Sequence, residues 1–188
     1  MENWEFLYKL HLSKPLPVEF TKEMTEYGYS YRIREFITGI SFDYIRNIST
    51  GKRYTIKDDL GLIGFSSINI EDKRVIITEG ISDYMTARFK YKGNVLGLTT
   101  LGGSGIARSV ILSLFKRVIL FADNDAMGLN QQRNHGWCAA ENLASFLRKY
   151  DIEVELRLPS IGFNDITQEF FYEYKARAFT DVVQTEIF

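Results

Sequence analysis

Residues 74–83 read Arg74-Val75-Ile76-Ile77-Thr78-Glu79-Gly80-Ile81-Ser82-Asp83, a β-branched run that breaks at an acid and a glycine. Residues 117–125 repeat the form as Arg117-Val118-Ile119-Leu120-Phe121-Ala122-Asp123-Asn124-Asp125, with Gly128 close behind. An aliphatic run bounded by turn signals reads as a strand buried on both faces, the habit of parallel sheets. In open α/β sheets ligands sit beyond the carboxyl ends of the strands, so both stretches set bare carboxylates at one sheet edge. Carboxylates that face one another repel and raise each other's pKa. At ~4 Å and an effective dielectric near ~20, one such pair costs about 4 kcal/mol. A divalent cation relieves that repulsion, and oxygen-only ligands select Mg²⁺ or Mn²⁺ over Zn²⁺.

The elements around these two runs predict the fold. Strands are expected over 74–78, 94–98, 117–122 and 152–158, and helices over 81–91, 105–115, 129–149 and 166–177. Strict alternation implies right-handed crossovers and an α/β parallel sheet of about four strands flanked by helices. Trp137, Ala140, Leu143, Ala144 and Leu147 form the buried stripe of the long helix, while Gly136 weakens its start. This unit spans residues 73–188, and residues 1–72 form a small α+β subdomain ahead of it.

Within residues 1–72, Val18 to Tyr27 suits a short helix with Glu19, Glu23 and Glu26 on its wet face. Arg53-Tyr54-Thr55-Ile56-Lys57 alternates as a strand, Asp58-Asp59-Leu60-Gly61 reads as a turn, and Leu62-Ile63-Gly64-Phe65 returns. Residues 52–70 are therefore expected to form a β-hairpin. Between residues 29 and 57, six basic residues (Arg32, Arg34, Arg46, Lys52, Arg53 and Lys57) face only Glu35 and Asp43, a local balance of +4. Tyr29, Tyr31, Phe36, Phe42, Tyr44 and Tyr54 are interleaved with them. Such a mixture suits a single-strand track, with phosphates on basic side chains and bases stacked on rings. A solvated charged face over an aromatic core explains the same residues and is the preferred reading.

Bulk properties exclude several classes. The 188 residues are 45% apolar and 25% charged with a formal net charge of −1, enough for a packed core and unlike a polycationic or acidic tail. A single cysteine, Cys138, rules out an internal disulfide framework and a zinc ribbon. No signal peptide is apparent in the first ten residues, which carry Glu2 and Glu5, and no run of ~18 apolar residues suggests a membrane span. A cytoplasmic location is the expectation.

Each acidic motif carries two readings. Asp123 and Asp125 are two apart, so from a strand end both can face one pocket; an acidic loop capping the next helix is the alternative. Asp83 falls in a first helical turn and reads as a helix-start acid before a metal partner. The loop Thr99–Gly105, with Gly102, Gly103 and Ser104, offers backbone N–H groups to a phosphate, or is a plain strand–helix connector. It is no Walker loop, because no Gly-Lys-Ser/Thr follows. Asp165, closing Pro159-Ser160-Ile161-Gly162-Phe163-Asn164-Asp165, suits a fourth acidic ligand and an N-cap together. His11 and His135 have no serine or cysteine at a triad spacing. Cys138 is expected in the core.

A strand ending in Glu-Gly, a glycine-containing loop after the next strand, and a strand ending in Asp-x-Asp-x-x-Gly together resemble the Toprim domain. That domain is shared by bacterial-type DNA primases, type IA and II topoisomerases and some nucleases. The resemblance covers roughly residues 73–170 and is nearest to the primases. Glu79-Gly80-Ile81-Ser82-Asp83 is similar to their Glu-Gly-x-x-Asp turn, Leu98-Thr99-Thr100-Leu101-Gly102 to their Leu-Gly-Thr-like loop, and Leu158 to Asp165 to the end of their core. The segment Tyr54–Phe65 resembles the part that precedes Toprim in primases and helps hold template. The resemblance implies that Asp123, Asp125 and Asp165 bind Mg²⁺ (or Mn²⁺), and that Glu79 binds metal or acts as general acid/base.

The function so implied is metal-dependent nucleotidyl transfer by a primase-like catalytic core on single-stranded DNA or RNA, using nucleoside triphosphates. Arg32, Arg34, Lys52, Arg53 and Lys57 would then touch nucleic acid. The zinc-binding module and helicase domain of full primases are missing from the sequence, which suggests a stand-alone unit or one that depends on a partner, such as a helicase or zinc-ribbon protein in trans. One alternative is a Toprim-family nuclease cutting DNA or RNA, disfavoured in its ribonuclease branch because about 70 residues precede the motif. Another is a non-catalytic nucleic-acid-binding module of a replication complex. A topoisomerase has no room here for its tyrosine-bearing cleavage domain.

Overall fold

The computed structural model describes residues 2–16, 18–25, 28–37, 40–47, 53–56, 61–99, 103–124 and 135–185. Helix α1 (Glu2–Ser13) leads into strands β1 (Glu19–Thr25), β2 (Gly28–Ile37), β3 (Ile40–Asn47), β4 (Arg53–Ile56) and β5 (Leu62–Ile63). A single 3-10 turn (Phe65–Ser67) precedes β6 (Arg74–Glu79), α2 (Ile81–Lys90), β7 (Asn94–Leu98), α3 (Gly105–Leu114) and β8 (Arg117–Phe121). The chain closes with α4 (His135–Arg148), β9 (Glu153–Arg157) and α5 (Ile166–Thr185).

Val75, Ile76, Ile77 and Thr78 are all buried, so β6 is covered on both faces as its β-branched run demands. It lies at the centre of a five-stranded sheet of order β5-β7-β6-β8-β9. β6 runs parallel to β7 and β8, and β8 parallel to β9; β5 joins β7 antiparallel at the edge. Alternate residues feed opposite layers. Val75, Ile77, Leu96, Leu98, Val118 and Leu120 pack with Ala107 and Ile111 of α3 and with Ala140, Leu143, Ala144 and Leu147 of α4. Ile76, Val95 and Phe121 pack on the other side with Tyr84, Met85 and Ala87 of α2 and Ile166 of α5. The result is a three-layer α/β sandwich whose parallel strands all end at one edge. The sheet has a fifth strand, β5, beyond the parallel set expected from the sequence.

One buried side chain fastens the entrance to β6. Asn94 accepts from the Asn69 N–H at 2.8 Å, and its amide nitrogen lies 3.0, 2.9 and 3.1 Å from the carbonyl oxygens of Asn69, Asp72 and Arg74. Asn94→Ala strips a buried loop of these partners and is expected to cost about 2–3 kcal/mol, measurable by urea unfolding.

The front of the chain corrects two expectations. Residues 19–25 are a strand, not part of a helix over 18–27; the helix lies earlier, at Glu2–Ser13. A spacing of four residues is even, so Glu19 and Glu23 share a face in a strand as well as in a helix. Pairing with β2 decides the matter, with Phe20 buried against Trp4 and Tyr8 of α1. Among the described residues, the two strands of the hairpin expected over 52–70 do not pair with each other. β4 pairs with β3 to complete a four-stranded antiparallel sheet of order β1-β2-β3-β4, whereas β5 crosses to the central sheet. Leu62 and Ile63 are both fully buried, which a half-wet hairpin strand would not allow. The turn residues Asp58, Asp59 and Leu60 lie outside the described residues.

Leu7 of α1 and Phe20, Tyr31 and Ile33 of the front sheet share one apolar cluster with Ile63, Ile76 and Tyr84. Glu5 accepts hydrogen bonds from Lys22 (2.6 Å) and from the Tyr31 hydroxyl, clamping α1 to this sheet. The Lys22 hydrogen bond holds the Glu5 carboxyl below its usual range, helped by Tyr31. Cys138 is exposed on α4 and not in the core. The helical stripe leaves it outside because Leu143, Ala144 and Leu147 already face the sheet.

Candidate active site

The carboxyl ends of β6, β7, β8 and β9 gather the acidic motifs at one edge. Glu79 ends β6 and is half-buried. Gly80 turns the chain directly into α2 with φ 93°, a region that side chains avoid, while its N–H bonds the Leu98 carbonyl at 2.9 Å. Because the turn takes a single residue, Asp83 arrives within the first turn of α2.

Asp123 follows β8 and is pinned on both sides. The Ala122 N–H bonds the Arg157 carbonyl at 2.9 Å, and the Asn124 N–H bonds the Asn164 carbonyl at 2.6 Å. Gly136 supplies a third constraint. A Cβ there would lie 2.9 Å from both Cβ and carbonyl oxygen of Asp123, so only glycine lets the start of α4 press this closely. Its faint signal in the sequence is a glycine inside a helical pattern. Gly136→Ala gains helix propensity of ~1 kcal/mol yet must displace backbone, so a net loss of about 1–3 kcal/mol is expected by thermal melting.

Asp165 opens α5. Its Oδ1 accepts from the Gln168 N–H at 2.6 Å, and the Gln168 side chain accepts from the Asn164 N–H at 2.8 Å. This reciprocal cap fixes the loop that carries the acid. Gln168 was not singled out from the sequence.

Asp83 is 4% exposed and reaches from α2 to α5. Its Oδ1 accepts from the Thr167 hydroxyl at 2.6 Å and the Thr167 N–H at 3.2 Å. Burial pushes its carboxyl well above the usual range; the charges of Asp165 and then Asp123 push it further, and the Thr167 bonds oppose them. Asp83 thus feels one acid after β8 and another at the start of α5, and sequence spacing could not show that it sits this deep.

The loop after β7 leads directly into α3. Ser104 is the N-cap of α3 and accepts from the Ala107 N–H at 3.0 Å, so its hydroxyl serves the helix. Gly103 turns with φ 75°; Gly102 lies outside the described residues.

Solved structures share this architecture. The Aquifex aeolicus primase, comprising zinc-binding and RNA polymerase domains, superposes with a TM-score of 0.60 at 17% identity over 96% of this chain and 49% of that one. The chain has a primase-like Toprim core fold. A DnaG primase catalytic domain bound to ssDNA gives 0.57 at 14% identity over 87% of this chain and 55% of that one. The E. coli primase catalytic core gives 0.55 at 18% identity over 83% and 56%. The chain therefore spans about half the length of the solved structures it matches. No protein-family model and no curated protein matches the sequence.

Glu79, Asp123 and Asp165 at this edge offer carboxylate oxygens, the donor type that a hard divalent cation takes. Among the described residues no three His, Cys, Asp or Glu side chains stand close enough to hold an ion. Asp125, the remaining acid of the motif, lies outside them. Among the described residues no helix is long and apolar enough to cross a membrane.

The basic stretch of the front sheet is partly neutralised. Arg32 pairs with Glu23 at 3.2 Å and Arg34 with Glu19 at 3.6 Å, so acids of β1, upstream of the sequence window that gave +4, offset two of its charges. Lys52 and Lys57 lie outside the described residues, as does the side chain of Arg53.

Proposed function

We propose that this chain is the catalytic core of a primase-like nucleotidyltransferase, joining nucleoside triphosphates on a single-stranded nucleic-acid template. The observation that carries the reading is the acidic edge of a primase-like fold, where Asp83 feels both Asp123 and Asp165. Glu79, Asp123, Asp125 and Asp165 would hold Mg²⁺ or Mn²⁺, which supplies charge neutralisation for the triphosphate and activation of the attacking hydroxyl. The chain's own part is positioning. Backbone bonds flanking Asp123 and the cap on Asp165 fix two of these carboxylates before substrate arrives, so little ordering is left for the transition state. Glu79, on the neighbouring strand, is the candidate general acid/base. The ssDNA bound by the matching DnaG domain supports single-stranded DNA as template.

The test is synthesis of short labelled oligonucleotides from nucleoside triphosphates on a single-stranded template, with Mg²⁺ or Mn²⁺ and with chelator. Metal-dependent products are the expected result. Degradation of the template would replace the reading with a Toprim-family nuclease. Template binding with neither activity, unchanged by joint Asp123→Ala and Asp125→Ala replacement, would leave a binding module. Repeating the assay with a helicase or zinc-ribbon protein added tests a partner requirement.

A further inference from the structure

The spacing of the acids depends on two helix starts, and one threonine joins them. Asp83 lies in the first turn of α2, and Thr167 in the first turn of α5, two residues beyond Asp165. Asp83 Oδ1 accepts from the Thr167 N–H at 3.2 Å and from the Thr167 hydroxyl at 2.6 Å. A hydroxyl has one hydrogen and further acceptor capacity. The Thr86 hydroxyl, 2.9 Å from that of Thr167, is therefore the donor to it. The chain of donation runs from Thr86 through Thr167 to Asp83. Asp83, Thr86 and Thr167 are 4%, 0% and 1% exposed, so water offers no substitute partner.

We propose that Thr167 is a positioning residue of the acidic centre, its hydroxyl locking the first turn of α5 to α2 and so setting Asp165 against Asp123. The proposal rests on the primase-like reading of the site. Neither threonine belongs to an acidic motif, and 84 residues separate Thr167 from Asp83 in sequence. Hydrogen bonds that orient a ligand set from outside it change metal affinity by roughly ten- to a hundred-fold, and the lower end of that range is expected for a residue that acts through the start of α5.

The experiment is titration with Mn²⁺, following free ion by electron paramagnetic resonance, on wild type, Thr167→Val and Thr167→Ser, with circular dichroism to verify folding. Thr167→Val keeps shape and loses the hydroxyl; its Mn²⁺ affinity is expected to fall about tenfold or more. Thr167→Ser restores the hydroxyl and is expected to bind within about threefold of wild type. Coincident isotherms for wild type and Thr167→Val overturn the positioning role and leave the primase-like reading standing. A wild type that takes up no Mn²⁺ overturns both. Should Thr167→Val not fold, Thr86→Val carries the test, because it removes only the bond behind Thr167. Its affinity is expected to fall by at least about threefold, with Thr86→Ser close to wild type, and an unchanged Thr86→Val overturns the proposal.

Discussion

Asp123→Asn is expected to reduce templated oligonucleotide synthesis by more than about 10³-fold, equivalent to about 4 kcal/mol of transition-state stabilisation. The substitution keeps the shape of the side chain and removes its charge, so packing against Gly136 is preserved while a cation ligand is weakened. The backbone around the position is held from β9 and from the loop before α5, which leaves little freedom for a neighbouring acid to move in as a replacement. Raising Mn²⁺ is expected to recover part of the rate, because a weakened ligand set still binds at higher occupancy. Glu141→Ala, on the exposed side of α4, is the control and is expected to leave the rate unchanged. Initial rates with labelled nucleoside triphosphates, at matched melting temperatures, provide the measurement. Asp123→Asn within about tenfold of wild type would remove this carboxylate from the chemistry.

The central sheet was legible because its strands are nearly uniform. A strand buried on both faces must be aliphatic over its length, and a parallel strand must be followed by a crossover, so β6 and β8 declare themselves within a few residues. The front sheet has no such economy. Glu19 and Glu23 are spaced to suit two periods, and only the distant strand β2 chooses between them. Leu62 and Ile63 look like the return of a hairpin until pairing sets them, as β5, beside β7. At the site, the acids were legible as residue types at strand ends, but their coupling was not. Asp83 reads locally as a favourable helix-start acid. Its partner Thr167 lies 84 residues away, and no spacing rule connects them. The partial neutralisation of the basic stretch was hidden for a similar reason. Its neutralising acids stand across a strand pair, outside the window in which charge was counted.

Asp83 is also where the fold and the site compete, and this sets the second large effect. Its carboxyl is raised by burial first, then by Asp165 and Asp123. An acid whose pKa is raised on folding binds more protons in the folded than in the unfolded state, between its unfolded value of about 3.9 and its folded value. In that window stability falls as pH rises, so this group contributes nothing adverse at pH ~3.9 and its full penalty above its folded pKa. In chelator, wild-type stability is therefore expected to decline from mildly acidic towards alkaline pH. Asp83→Asn keeps an oxygen for the two Thr167 bonds and removes the titrating charge. It is expected to flatten the decline and to raise stability at alkaline pH by on the order of 2 kcal/mol, the scale of an uncompensated buried charge. Mg²⁺ is expected to flatten the wild-type decline as well, because compensating Asp123 and Asp165 removes part of what opposes ionisation of Asp83. Urea unfolding across pH, with and without Mg²⁺, separates the contributions. An Asp83→Asn protein with the same pH slope as wild type would show that burial of this acid is not what the fold pays to assemble the site.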